Sequence, residues 1–206
     1  MGCGRMEKNY RVTTFVMDSG ERYCMVVDRA TGLPMYYPTL FLTTQIRNRG
    51  NAFSTTLAAA NNLVLLLRFV DRRGINLEQR FLNKDFFKPH ELDDLRDFAQ
   101  CKQGKKPLMV PSKPWLEDAT INTVDNGTQH SRLTTFANYL RWYAMHILKT
   151  PELEVVEQIN AMAEQTKMRR PSKKGRNSDL QDRSLSDVQL DALKRPWFSR
   201  HFVAEK

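Results

Sequence analysis

Cysteine is scarce in this sequence: among 206 residues there are three, Cys3, Cys24 and Cys101. They are far apart, odd in number and without a C-x-x-C pair, so the pattern supports neither a disulfide framework nor a cysteine-based zinc site. We therefore expect the protein to fold in a reducing compartment, the cytoplasm.

Motifs of catalysis and cofactor binding are also missing. The sequence has no Gly-rich phosphate loop, no H-E-x-x-H, no G-x-S-x-G and no cluster with metal-ligand spacing. No apolar run is as long as a membrane span, and the N-terminus lacks the apolar segment of a signal peptide. We expect no self-contained enzyme site, no cofactor or metal, no small-molecule substrate and no membrane partner.

Acidic charge is in deficit. Lysine and arginine number 32 against 23 aspartate and glutamate, which gives a net charge of +9. A basic surplus favours a polyanionic partner, with nucleic acid ahead of a membrane surface.

The stretch from 54 to 74 predicts a long, largely buried helix, because apolar residues at helical spacing cover most of its circumference. Ser54, Thr55 and Thr56 offer an N-cap, and Gly74 is a typical stop for a chain that leaves a helix with positive φ. The remaining polar residues share one face, which is either a solvated edge or a surface laid against phosphates: Ser54, Asn61, Arg68 and Arg72.

Strand and helix patterns predict the other elements. β-Branched and aromatic residues on either side of Asp18-Ser19-Gly20 predict a small hairpin, and prolines followed by apolar spacings of three and four predict helices. The predicted strands are 10–17 and 22–28, and the predicted helices are 39–49, 91–102, 131–149 and 152–166. We expect 75–87 to be irregular with its phenylalanines packed in the core, and 103–129 to be a long loop.

The predicted helix 131–149 has an unusual outward side that combines basic, amide and aromatic residues: Arg132, Thr135, Asn138, Tyr139, Trp142, His146 and Lys149. Such a combination suits contacts with phosphates and bases. The alternative is that Trp142 packs on a neighbouring helix and the charges face water.

The segment 167–176, K-M-R-R-P-S-K-K-G-R, holds six basic residues and no acidic one. Its proline and glycine predict a linker rather than a packed element. Its charges either strengthen DNA binding by displacing counterions from phosphates or simply keep a linker soluble.

The order of these parts resembles the N-terminal half of a bacterial tyrosine recombinase of the phage-integrase family. The resemblance extends from about residue 10 to about residue 195. It is carried by D-R-A-T-G-L-P at 28–34, the helix behind Pro38, the helix that opens S-T-T at 54–56 and ends D-R-R-G-I at 71–75, the L-R-D-F helix, the helix that opens Ser131-Arg132 and contains Y-L-R-W at 139–142, and S-L-S-D-V-Q-L-D-A-L at 184–193.

This resemblance implies a mainly α fold. A SAM-like helical core-binding bundle is expected at 37–166, after a small N-terminal β-hairpin region at 1–36 that is either a separate DNA reader or a lid on the bundle. A basic linker is expected at 167–183, followed at 184–206 by the start of a catalytic domain that the chain does not complete. The implied function is that of the DNA-binding portion of a site-specific integrase from a phage or mobile element. It would clasp double-stranded DNA, with other recombinase protomers, at the nucleoid in the bacterial cytoplasm.

The residues with which that family cleaves DNA are not found. Its members use a tyrosine nucleophile with an arginine, a lysine, an H-x-x-R pair and a further His or Trp, because in-line attack on a phosphodiester spreads negative charge that cations must offset. None of the four histidines, His90, His130, His146 and His201, has an arginine three positions on. We expect DNA binding without cleavage, and hence no enzyme.

The expected DNA-contacting residues lie on the predicted helices and in the basic segment: Thr44, Arg47, Ser54, Thr55, Arg68, Arg132, Thr135, Asn138, Arg141, Lys167, Arg169, Arg170, Lys173 and Lys174. Two other hypotheses stay open. One is an enzyme with its own site. The other is a regulatory or protein-interaction module that competes with or partners a full-length recombinase, whose binding would persist at high salt and need no DNA.

Overall fold

A computed structural model describes residues 10–102 and 123–172, which belong to one compact unit ending at Ser172. This part of the chain is mainly α-helical with a two-stranded antiparallel hairpin at its N-terminal end, so the predicted fold class is confirmed. The predictions that fall on 103–122 and 173–206 lie outside the described residues. They include most of the long loop and the helix start at 184–193.

The hairpin consists of β1 (Tyr10–Val16) and β2 (Arg22–Asp28), paired so that Tyr10 faces Asp28 and Val16 faces Arg22. Its inner side chains, among them Tyr10, Cys24 and Val26, are buried in the same core as the helices. The hairpin is therefore part of the bundle's packing, and both of its strands contact the long helix that follows.

The segment predicted as one helix at 39–49 changes pitch twice. Helix α1 spans Tyr36–Phe41, and a π-helical turn at Leu42–Ile46 and a 3-10 turn at Arg47–Arg49 follow it. The hydroxyls of Thr43 and Thr44 donate to the carbonyls four residues earlier, at 2.9 and 2.8 Å. Such bonds compete with the regular ladder and bend helices.

Helix α2 (Phe53–Arg72) is the centre of the bundle, with Leu63 and Leu66 fully buried. Its N-cap position is Ala52, and no side chain caps it, so the predicted cap at Ser54 to Thr56 is wrong. The first residue of the helix, Phe53, packs against the core. Gly74 leaves the helix with φ 66°, as predicted.

By length and composition alone, α2 could cross a membrane, so the expectation that no apolar run is as long as a membrane span is wrong for this helix. However, 56% of its most apolar window is buried inside the protein. This burial is typical of the core helix of a soluble protein.

Helix α3 (Leu77–Leu82) lies in the stretch predicted as irregular, because six residues are too few to show helical periodicity. Asn76 caps it by accepting from the Gln79 amide at 3.1 Å. Phe81 and Phe87 are buried, so their predicted place in the core is confirmed. Helix α4 follows at Pro89–Gln100.

Helices α5 (Asn126–Leu148) and α6 (Leu153–Met168) form a helical hairpin. Helix α5 begins five residues before the predicted start at 131, because Asp125 caps it by accepting from the Thr128 amide at 2.9 Å. The buried faces of the two helices, which include Phe136 and Ile159, join the core around α2.

Candidate nucleic-acid interface

A groove runs between the base of the hairpin, α2 and the first half of α5. It has a volume of about 380 Å³. Its polar wall consists of four arginines and two asparagines, and we call it the arginine groove: Arg11, Arg29, Arg68, Arg132, Asn61 and Asn62. None of the described residues that line it is acidic. The groove therefore concentrates positive charge together with amide groups that can donate and accept hydrogen bonds.

Arg132, near the start of α5, forms one end of the groove. Its Nη1 donates to the carbonyls of Ala99 at 2.7 Å and Cys101 at 2.9 Å, where α4 ends. Those carbonyls lie at the negative end of the α4 dipole, which attracts a cation. Burial lowers the pKa of Arg132, yet a guanidinium stays charged at neutral pH, and its other N–H groups can serve a ligand.

Asn62 joins the two helices that form the floor of the groove. Its Nδ2 donates to Thr135 Oγ1 at 3.0 Å and lies 3.4 Å from Ser131 Oγ. Asn61 is exposed beside it, with Nδ2 on the carbonyl of Leu57 at 2.9 Å, so its Oδ1 can still accept. The structure thus brings α2 and the predicted contact residue Thr135 together.

Arg68 lies half-buried where α2 meets the hairpin, with Nη2 3.4 Å from the carbonyl of Tyr10. Arg11 and Arg29 are exposed on the hairpin side of the groove, and neither forms a salt bridge with a described carboxylate. The sequence does not point to these two. Arg29 lies beyond the end of β2, and the alternation of β1 gives the side of the hairpin on which Arg11 lies but not the helix that the hairpin covers.

Some of the other predicted contact residues lie on exposed faces of α2 and α5, and others do not. Ser54 and Thr55 are exposed in the first turn of α2, and Asn138 is exposed one turn beyond Thr135. Arg141 is on the side of α5 that meets α6, where its Nε donates to Asn160 Oδ1 at 2.7 Å. Thr44 is half-buried, and its hydroxyl donates within its own helix.

Arg47 already has an internal anionic partner. Its guanidinium forms an ion pair with Glu21 at the hairpin turn, with Nε 2.7 Å from Oε1, and it lies over the Tyr23 ring. A ligand phosphate at this position would have to displace the Glu21 carboxylate.

The linker prediction is wrong for 167–170. Lys167 belongs to α6 and pairs with Glu164 at 2.8 Å. Arg169 donates to Asp93 at 2.8 Å and to the carbonyls of Gln165 and Pro89, so it ties the end of α6 to α4. Arg170 is half-buried, with Nη1 3.3 Å from Thr134 Oγ1 and Nε on the carbonyl of Lys167. Lys173 and Lys174 lie outside the described residues.

The aromatic residues of α5 do not form an outward surface. Tyr139 is 2% exposed and stacks on Tyr143. Trp142 packs edge-on against Phe41, with ring centroids 5.4 Å apart. The alternative interpretation, in which Trp142 packs on a neighbouring helix, is the one that the structure bears out.

Among residues 10–102 and 123–172, no three His, Cys, Asp or Glu side chains are grouped so as to hold a metal ion. No protein-family model, curated protein or solved structure matches the chain.

Proposed function

We propose that this protein binds double-stranded DNA through the arginine groove and the adjoining exposed faces of α2 and α5. The observation that carries the proposal is the composition of the groove wall, where four arginines and two asparagines stand together and none of the described lining residues carries a carboxylate. Guanidinium groups match phosphate geometry, and asparagine can pair with adenine through two hydrogen bonds.

The four arginines divide into two kinds. Arg68 and Arg132 hold protein carbonyls as well as lining the groove, so their positions are fixed by the fold. Arg11 and Arg29 are exposed and form no salt bridge with a described carboxylate, which suits neutralising backbone phosphates. We expect the hairpin to supply affinity, and the α2 and α5 side chains to supply any sequence preference.

The more specific proposal is that the protein is the core-binding portion of a site-specific tyrosine recombinase or integrase. The mainly α bundle with its N-terminal hairpin, together with the sequence patterns described above, supports this assignment. In this proposal the protein acts at the nucleoid in the bacterial cytoplasm, beside recombinase protomers, and takes part in DNA integration without cleaving DNA itself.

A salt titration with matched arginine variants tests DNA binding. Fluorescence anisotropy would measure the affinity for a labelled mixed-sequence duplex at several salt concentrations. Each phosphate contact contributes about 0.9 to the slope of log K against log salt, so Arg11→Gln/Arg29→Gln should flatten the slope by roughly two and weaken binding at low salt.

Arg22→Gln is the matched control, because Arg22 is an exposed arginine on the same hairpin at the opposite end from Tyr10 and Asp28. It should leave the slope near the wild-type value. Equal slopes for the double variant and the wild type would overturn the groove as the DNA interface.

Selection of binding sites from random duplexes tests the recombinase assignment separately. A recurring sequence motif is expected if α2 and α5 read bases, whereas recovery of random sequences would contradict site-specific recognition. If no duplex binds even at low salt while protein partners bind at high salt, the interaction-module alternative replaces the proposal.

A further inference from the structure

A second groove lies on the other side of Tyr10, and its chemistry is the opposite of that of the arginine groove. It runs between α1, the end of α2 and the start of α3, with a volume of about 550 Å³. Pockets for small organic ligands have volumes of roughly 300–1,000 Å³. We call it the tyrosine groove, after five of the residues that line it: Tyr10, Tyr36, Tyr37, Tyr139 and Tyr143.

Four of the tyrosine rings form a continuous series from the rim to the core. Tyr36 is 68% exposed, and its ring centroid lies 5.1 Å from that of Tyr37. Tyr37 is 4.8 Å from Tyr143, which stacks on Tyr139 at 5.6 Å. A ligand that enters the groove would therefore meet an exposed tyrosine ring at the mouth and further aromatic rings deeper inside.

The charges of this groove are negative. Asp71 and Glu78 line it, and none of the described residues in its wall is basic. Burial, together with the negative charges of Asp71 and Asp28, raises the pKa of Tyr10 to about 12. Burial also raises the pKa of Tyr37 and Tyr143, with Glu78 as the next cause for both. The exposed carboxylate of Glu78 therefore gives the groove negative charge.

We propose that the tyrosine groove binds a small organic cation of the alkylammonium class. Aromatic faces attract cations through their quadrupoles, and the Glu78 carboxylate in the groove wall attracts a cation more strongly than a neutral ligand of the same shape. The apolar rest of the wall, which includes Met35, Leu67 and Val70, suits the methyl or methylene groups of such a cation. This site is separate from the proposed DNA interface and does not depend on it.

Choline and its neutral isostere 3,3-dimethyl-1-butanol are the probes, because they differ in charge but hardly in shape. Amide chemical shifts of the ¹⁵N-labelled protein would be followed during titration at constant ionic strength. Choline should cause saturable shifts at residues 74–78, and the isostere should bind at least about threefold more weakly.

Two variants in the wall of the tyrosine groove and one control variant outside it test whether choline binds there. Glu78→Gln removes a groove charge, and Tyr36→Leu removes the exposed ring; each should weaken choline binding by roughly two- to fivefold. Glu154→Gln neutralises an exposed carboxylate of α6 that does not line the groove, and it should bind choline as the wild type does. Equal affinities for choline and the isostere, or unchanged binding in both groove variants with native spectra, would overturn the proposal.

Discussion

Arg80 is a basic residue whose guanidinium is used entirely for contacts within the protein. Its Nη1 and Nη2 each donate to Glu91 at 2.7 Å, its Nε donates to Asp85 at 2.9 Å, and its side chain is 13% exposed. Glu91 also accepts from the Lys88 amide at 2.8 Å, at the start of α4. The cluster thus fastens the loop between α3 and α4.

This cluster should make the stability of the protein depend on pH. The hydrogen bond from Arg80 holds the pKa of Glu91 below its ordinary value of 4.5. A carboxyl with a lowered folded-state pKa stabilises the fold above its unfolded pKa, and that contribution is lost as the pH falls through the folded pKa. We expect Arg80→Met to lower the free energy of unfolding by about 1–3 kcal/mol at pH 7, measured by urea denaturation.

The acid dependence of Arg80→Met should be shallower than that of the wild type below about pH 5. Arg96→Met is the control, since Arg96 is 41% exposed and pairs with Asp93 and Asp97 at the surface. Arg96→Met should lower the free energy of unfolding by no more than about 0.5 kcal/mol, and the acid dependence of its stability should match that of the wild type. A difference between Arg80→Met and the wild type that stays constant from neutral to acid pH would contradict the role given to the Glu91 pair.

At the scale of elements, the starts of the two long helices differ in how they are capped. Asp125 accepts from both the amide and the hydroxyl of Thr128 at the start of α5, at 2.9 and 2.5 Å. At the start of α2 the N-cap is Ala52, and Ser54 lies exposed inside the first turn without a capping bond. Helix α2 therefore depends on burial of its apolar side chains, whereas α5 also depends on a local cap.

These two helix starts should respond differently to alanine. Asp125→Ala should lower the free energy of unfolding by roughly 0.5–2 kcal/mol, because the first-turn N–H groups of α5 lose their acceptor. Ser54→Ala should change it by no more than about 0.5 kcal/mol. Urea denaturation of both variants at pH 7 measures the difference. A larger loss for Ser54→Ala would show that α2 is capped by the hydroxyl after all.

In the described part of the molecule, α5 contacts as many of the other elements as α2 does, but α2 has the most buried side chains. The hairpin, α4 and α5 all pack on it, and its buried side chains run from Thr56 to Val70. Helix α5 has the next most extensive buried face, whereas the hairpin turn from Met17 to Glu21 is exposed.

Hydrogen exchange should follow this arrangement. Amides of α2 from 59 to 70 and of α5 from 133 to 144 should exchange most slowly, because they open only with the whole core. Amides of the exposed turn 17–21 should exchange much faster than those of α2 and α5. Mass spectrometry of the native protein would measure these rates, and protection of the hairpin turn equal to that of α2 would refute the assignment of α2 as the stability centre.

Much of the fold could be predicted from the sequence because periodicity is a local property. The hairpin at 10–17 and 22–28, the long apolar helix ending before Gly74, and the helices behind Pro89 and Pro151 all follow from the spacing of apolar residues and breakers. The change of pitch at 42–49 and the short α3 could not be predicted in this way, since side-chain bonds to backbone carbonyls and a single capping asparagine decide them.

The sequence by itself determined the fold class, the basic charge and the central helix, because composition and periodicity do not depend on which elements meet. Only the tertiary structure decided which arginines line a groove and which are paired inside the protein. It placed Arg68 and Arg132 in one groove with Arg11 and Arg29, and it engaged Arg47, Arg80 and Arg169 with carboxylates of other elements. A guanidinium has the same charge wherever it stands in a sequence, but its neighbours in space determine whether that charge is available.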